Sequence, residues 1–265
     1  MAFKKASKKI NIALILLLIL LKLKNNYELN FKTNVYLRDL KKLLIQIIKI
    51  MEELNVTSMP RIGDQAPDFL ADTSYGPLQF SEFNKGSWVV LFSHPADFTP
   101  VCTTEMSGFA IRHDEFRELN TKLLGLSIDS IHSHIAWVSN VKKNTGVLFD
   151  FPIIADIDMK VSKLYGMLQP NESETAAVRA VFFIDPEGKI RLIMYYPLNV
   201  GRNMDEILRV LKGLQISDKH KVALPLDWQP GDKVIVPPPK TVEGMIEREA
   251  SDYEMVDFYL AKKEL

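Results

Sequence analysis

The feature that most constrains this chain is a short run, Ser87-Trp-Val-Val-Leu-Phe-Ser93, with no polar residue between its two serines. A strand apolar on both sides must be covered on both faces, which calls for a sheet with helices packed above and below it. Pro95 and Pro100 follow, and residues 103–120 then take helical spacing, with Met106, Phe109, Phe116 and Leu119 on one side. Further strands are expected at 122–128, 152–155, 178–184 and 190–196, the last two joined by a turn at Asp185-Pro-Glu-Gly188. Helices are expected at 133–143, ending near Gly146, and at 159–165 and 203–214, with turns at 63–67 and 74–77.

That order is strand–helix–strand–helix–strand, then a hairpin, then a helix. It predicts an α/β fold with a mixed central sheet, thioredoxin-like in outline. Three segments are distinguished. Residues 59–215 carry the sheet pattern. In 216–265, Pro225, Pro230 and Pro237-Pro238-Pro239 break any long element. This C-terminal extension is too short for a core of its own and is expected to lie across the domain or on a neighbouring subunit.

Residues 1–55 form an atypical extension. Positions 1–50 contain neither Gly nor Pro and carry a net charge of +9, against −9 for the rest of the 265-residue chain. Lysines precede an apolar run at 10–21, as in an export signal, but no small-residue cleavage site follows. At about 18 Å as a helix, that run is shorter than the roughly 30 Å hydrocarbon core of a membrane. Residues 37–50 have the pattern of a basic amphipathic helix. The segment is open to three readings: an interfacial membrane anchor, a cleaved signal, or a stretch outside the folded unit with Met51 or Met59 as the true start. The last is favoured, which makes the expected location cytoplasmic.

Cys102 is the only cysteine, which excludes an intrachain disulfide framework and a multi-cysteine zinc site. It lies in Ser93-His-Pro-Ala-Asp-Phe-Thr-Pro-Val-Cys-Thr-Thr-Glu105, at the passage from strand to helix. The free N–H groups and positive dipole end of a helix's first turn favour a thiolate there. Thr99 places a hydroxyl one turn before the sulfur. His132 and His134, two apart on a helix, face different ways and make a poor metal pair. The acidic stretch 243–254 reads as a solvated helix face, and neither a phosphate-binding glycine loop nor a basic nucleic-acid stripe is present. No metal, cofactor or nucleic acid is expected.

Pro95-x-x-x-Thr99-x-x-Cys102 resembles the active-site pattern of the peroxiredoxins, and the longer run 93–105 resembles their one-cysteine class. The resemblance extends over about residues 59–240 through Ser133-His134, Trp137, Arg179-Ala-Val-Phe, Tyr195-Tyr-Pro-x-x-x-Gly-Arg202 and Ala223-Leu-Pro-x-x-Trp228. It implies a thiol peroxidase acting on hydrogen peroxide and organic hydroperoxides. Cys102 would be the attacking sulfur, Arg179 would stand beside sulfur and peroxide, Thr99 would hydrogen-bond the peroxide, and Pro95 would shield the sulfenate. His94 and Arg202 match further substrate-pocket positions. It also implies a homo-oligomer, a dimer or ring of dimers, with the extension at the dimer contact. With no second cysteine, an external thiol must reduce the sulfenic acid, and excess peroxide should drive it to sulfinic acid. An oligomeric chaperone holdase on the same scaffold is the alternative. Lipase chemistry is disfavoured, because Lys85-Gly-Ser87-Trp-Val89 lacks both glycines flanking a nucleophilic serine elbow.

Overall fold

The computed structural model describes Lys42 and residues 59–173 and 175–265. The apolar runs at 10–21 and 37–50 otherwise lie outside the described residues. A hairpin comes first, where the sequence predicts only a turn at 74–77: β1 (Leu70–Thr73) folds back on β2 (Gly76–Gln79) and leads into α1 (Phe80–Asn84). The expected buried strand follows as β3 (Trp88–Ser93), with every residue covered.

The single helix expected over 103–120 is two, α2 (Pro100–Ile111) and α3 (His113–Glu118). The backbone leaves helical geometry at Arg112 (φ −102°, ψ 13°), and this break turns His113 inward, its Nδ1 2.6 Å from Asp150 Oδ1. Then come β4 (Thr121–Ser127), α4 (Ile131–Thr145), β5 (Ile153–Ala155), α5 (Lys160–Leu164), β6 (Arg179–Ile184) and β7 (Ile190–Tyr196). Helix α4 is capped by the Ser130 hydroxyl and ended by Gly146 at φ +78°, a left-handed conformation that glycine adopts without steric cost. The last helix of this series, α6 (Met204–His220), runs six residues beyond the expected 214.

The sheet order is β2-β1-β5-β4-β3-β6-β7. Strands β3, β4 and β5 are parallel, and the other neighbours are antiparallel, which is the mixed sheet expected. Alternation along β3 divides the core in two. Val90 and Phe92 join Phe109, Phe116, Trp137 and Leu211, whereas Val89 and Leu91 join Phe69, Tyr165 and Phe182 on the other face. Each such fully covered side chain is worth about 1.5–3 kcal/mol relative to exposure.

Residues Met59–Leu265 form one compact unit. The C-terminal extension has more regular structure than its prolines suggest: β8 (Val234–Val236), α7 (Val242–Glu249), β9 (Glu254–Asp257) and β10 (Leu260–Lys263). The strands make a second antiparallel sheet, β8-β10-β9, with Val234 and Ala261 fully covered. The buried Arg248 guanidinium donates to the carbonyls of Val236, Pro237 and Phe258, tying strand to helix. The extension returns to the main unit at Gly213 of α6, where an added Cβ would stand 2.7 Å from a Leu224 methyl. No helix among the described residues is long and apolar enough to cross a membrane.

Candidate active site

The site begins where β3 ends. The Ser93 hydroxyl donates to the Val178 carbonyl at 2.6 Å and accepts the Ala180 N–H at 3.1 Å, fixing the end of β3 to the start of β6. Residues 94–99 form a loop with Phe98 at φ +56°, a left-handed conformation that costs a non-glycine residue about 1–2 kcal/mol. Thr99 is the extended N-cap residue of α2, and Pro100 fills the first helical position, where its missing N–H costs nothing. The Thr99 hydroxyl does not cap the helix; it donates to Ala96 O at 2.9 Å. Cys102 therefore lies in the first turn of α2, with no exposed surface.

Two arginines from distant strands and loops converge on that turn. Arg179, first residue of β6, points Nη1 at Cys102 Sγ (3.3 Å) and at Glu105 Oε2 (2.6 Å). Its Nε and Nη2 donate to Leu198 O at 3.1 and 2.6 Å. Arg202 grips Glu105 with its backbone N–H, Nε and Nη2, each at 2.9 Å, and its Nη1 donates to Ser93 O and Ala180 O. Its guanidinium also lies over the rings of Phe92 and Phe109, 5.4 and 5.5 Å from their centroids. All three charged side chains are at most 4% exposed. Burial works to raise the Glu105 carboxyl, but the charge and hydrogen bonds of Arg202 more than offset it and hold it below the usual carboxylate range. Burial likewise pulls Arg202 down, against the Glu105 charge. Two guanidinium charges against one carboxylate leave an excess of one positive charge, and the group within reach of that excess is the sulfur. A negative sulfur balances the cluster, which a neutral one does not.

A second buried cluster sits on the other side of the loop. Asp97 Oδ1 is 2.9 Å from His94 Nε2, and its Oδ2 is 2.8 Å from His134 Nδ1. His134 Nε2 faces the Ile154 carbonyl at 3.1 Å, and the Asp97 N–H donates to Asp129 Oδ2. His94, Asp97 and Asp129 are the one group among the described residues whose side-chain atoms lie close enough for a metal ion, within 4.8 Å. Both Asp97 oxygens already face the two histidines, and Asp129 Oδ2 accepts from the Ser127 hydroxyl and the Asp97 N–H.

Of the side chains singled out from sequence, the structure brings Arg179 to Cys102 and places Thr99 one turn before it. Pro95 is half-buried at the start of the loop. His94 and Arg202, for which pocket positions are expected, both adjoin the loop and first turn that carry Cys102, and Cys102 is among the groups that act electrostatically on Arg202. No hydrogen bond joins either to Cys102 among the described residues; His94 is turned to Asp97 and Trp137, and Arg202 is spent on Glu105 and backbone carbonyls. Glu105, Asp97 and His134 were not marked as site residues. Glu105 is one helical turn after Cys102, the one local signal that could have found it.

A cysteine held beneath an arginine at a strand-to-helix junction, on a thioredoxin-like frame, defines a thiol enzyme. Comparison with known proteins specifies which. Residues 62–193 match the AhpC/TSA family, and 213–251 match the C-terminal domain of 1-Cys peroxiredoxin. A peroxiredoxin of Aquifex aeolicus is 50% identical over 222 residues, covering 80% of this chain and 100% of its own length. The structure of a yeast mitochondrial 1-Cys peroxiredoxin superposes with a TM-score of 0.71 at 43% identity, covering 78% of this chain and 100% of that one. A cysteine-to-serine mutant of Peroxiredoxin 6 of Arenicola marina superposes at 0.70 with 38% identity, over 77% and 98%. The chain belongs to the peroxiredoxins, the thiol-dependent peroxidases, and its single cysteine fits their one-cysteine type. The holdase alternative has no support in these comparisons.

Proposed function

We propose that Cys102 is the peroxidatic residue and that the chain reduces hydrogen peroxide and organic hydroperoxides at the expense of an external thiol. The observation that carries this reading is the Arg179 guanidinium, 3.3 Å from a buried sulfur inside a cluster that needs one more negative charge. The thiolate attacks the nearer peroxide oxygen, and the O–O bond breaks. Sulfur loses two electrons to become a sulfenic acid, and the departing oxygen leaves as water or alcohol after taking a proton.

Ionisation of the sulfur alone cannot make such a step fast. Nucleophilicity falls with thiol basicity at a slope near 0.45, so most of what a larger thiolate fraction adds is given back. The larger share lies in orienting the peroxide and stabilising the leaving oxygen. Arg179 and the N–H groups of the first turn of α2 are placed to do the second. Thr99 serves as hydrogen-bond partner of the peroxide, and Pro95 as a cover over the oxidised sulfur. Arg202 acts through Glu105, which holds Arg179.

An incoming thiol converts the sulfenic acid to a mixed disulfide and water, and a second thiol releases Cys102. The yeast relative's thiol is resolved through glutathione/thioredoxin systems, and a donor of that chemistry is the one proposed here. A homodimer, alone or in a ring, is also proposed. Strand β7 is an edge of the seven-stranded sheet, and the extension exposes Val256, Phe258 and Tyr259. A cytoplasmic location completes the reading. Stopped-flow mixing of the pre-reduced full chain with hydrogen peroxide, followed by mass analysis of Cys102, tests it. A fast single turnover adding one oxygen is expected, and oxidation at the rate of a free thiol would overturn it.

A further inference from the structure

Asp97 stands between two histidines, and the hydrogen bonds can be counted. Both ring nitrogens of His134 face oxygens, Asp97 Oδ2 at 2.8 Å and Ile154 O at 3.1 Å. A neutral imidazole has one N–H, so both bonds are made only by an imidazolium against a carboxylate, or by a proton shared between them. His94 is different. Its Nε2 donates to Asp97 Oδ1, whereas its Nδ1 is buried with no partner among the described residues. That is the neutral tautomer, since a proton on Nδ1 would be a buried unpaired donor.

This carboxylate also sits at a telling place in the chain. It joins loop 94–99 to α4 through His134, and through it to the β5 carbonyl of Ile154. Its own N–H is held by Asp129, which the Ser127 hydroxyl holds in turn. The next residue, Phe98, is left-handed at φ +56° and half exposed, with a ring contact to Trp137 at 6.4 Å between centroids, so its own packing supplies only part of what holds that conformation. A strained residue persists only where its surroundings over-determine it. Thr99 comes immediately after it.

We propose that Asp97 is a positioning residue for peroxide reduction: held between His94 and His134, it fixes the left-handed turn at Phe98 and thereby the placement of the Thr99 hydroxyl over Cys102. The inference rests on the reading of Cys102 as the attacking sulfur and Thr99 as a peroxide partner. It assigns the work to the hydrogen-bond geometry of Asp97 and not to its charge. An asparagine at this position keeps that geometry: its oxygen accepts from His94, its amide donates to the bare Nδ1 of a neutral His134, and His134 Nε2 still donates to Ile154.

The test uses the full chain, with two readouts on each variant: the stopped-flow rate with hydrogen peroxide and the rate of Cys102 alkylation by iodoacetamide. Asp97→Ala should slow peroxide reduction about 10- to 100-fold, the scale of a misplacement near 1 Å. Alkylation, which does not use Thr99 and reaches the buried sulfur when the first turn of α2 opens, should not slow by more than about twofold, and Asp97→Asn should stay within about twofold of the parent in both. In a Thr99→Val background the Asp97→Ala effect should nearly vanish. The inference is overturned if Asp97→Ala reduces peroxide at the parent rate, if Asp97→Asn is as slow as Asp97→Ala, or if the Asp97→Ala effect survives in full beside Thr99→Val. If Asp97→Ala does not fold, His134→Gln, which loosens the second anchor of the same carboxylate, takes its place with the same expectations. Peroxide reduction that persists in Cys102→Ser would sink the underlying reading, whereas a dead Cys102→Ser beside a fast Asp97→Ala sinks this inference alone. Thr99→Val at the parent rate would sink the Thr99 assignment and the inference together.

Discussion

Asp97 and Glu105 are both buried carboxylates gripped by two basic side chains, yet the two clusters are built to different ends. Around Glu105 the bases are arginines, which stay charged under all working conditions, so one positive charge is left over and faces Cys102. Around Asp97 the bases are histidines, only one of which needs a proton to satisfy the hydrogen bonds, so the cluster balances itself. The first cluster exports charge to a neighbouring sulfur. The second exports none and supplies attachment points. A buried ionic group can thus serve chemistry or geometry, and the difference is set by whether its partners can give up their protons.

The sharpest way to break this comparison is Glu105→Gln. It leaves two buried guanidiniums facing each other, and breaking such a buried pair costs about 3–5 kcal/mol. For a chain of this size that lowers the thermal midpoint by roughly 10 °C at about 2–4 °C per kcal/mol. A drop of a degree or two in a melting scan would mean that the arginines do not depend on Glu105. Next in size, Arg179→Met should slow peroxide reduction about 10²–10³-fold, the usual loss for removing one donor to a developing oxyanion. Iodoacetamide alkylation should fall much less. Equal losses in the two rates would show that Arg179 acts on the sulfur only.

The Asp97 cluster has an acid signature. Burial works to raise the Asp97 carboxyl, but hydrogen bonds from His134 and His94 hold it down to about 2, against an ordinary 3.8. A carboxyl held low adds stability that is complete above about pH 4 and lost as pH falls toward 2, here on the order of 2 kcal/mol. Asp97→Asn removes this dependence. The stability gap between parent and variant, read from urea midpoints, should therefore be widest near pH 5 and narrow toward pH 2, and a gap that widens in acid would contradict the charge assignment. The smallest effect is Gly146→Ala, which forces a side chain into the left-handed end of α4 and should cost about 1 kcal/mol. His134 sits in the first turn of that helix, at the opposite end, so the peroxide rate should not move. A slower rate would mean that the Asp97 cluster depends on the whole helix.

Much of the frame was legible because its signals are local. The apolar run of β3, the prolines after it, the turn at Asp185–Gly188 and the glycine after α4 each announce an element within a few residues. The β1–β2 hairpin was missed because both strands are four residues long and mostly half-exposed. The break at Arg112 was missed because its reward, the His113–Asp150 pair, lies 37 residues away. The same distance hid the site's supporting residues. Arg179 and Arg202 could be placed by their resemblance to family motifs. That Arg202 spends itself on Glu105, 97 positions earlier, and that Asp97 meets His134, 37 positions later, are facts of tertiary folding with no local sequence mark.

The sulfur of Cys102 has no exposed surface, and this sets an order of events. A group that no water molecule can touch is reached only when the residues over it move, by a small amount for hydrogen peroxide and by more for a reducing thiol, which must bring its own carbon chain into line with the S–O bond. In the reading proposed here both halves of the cycle therefore wait on loosening of the opening turn of α2, the second on a wider opening than the first. Warming that loosens this turn should quicken reduction of the sulfenic acid more than its formation.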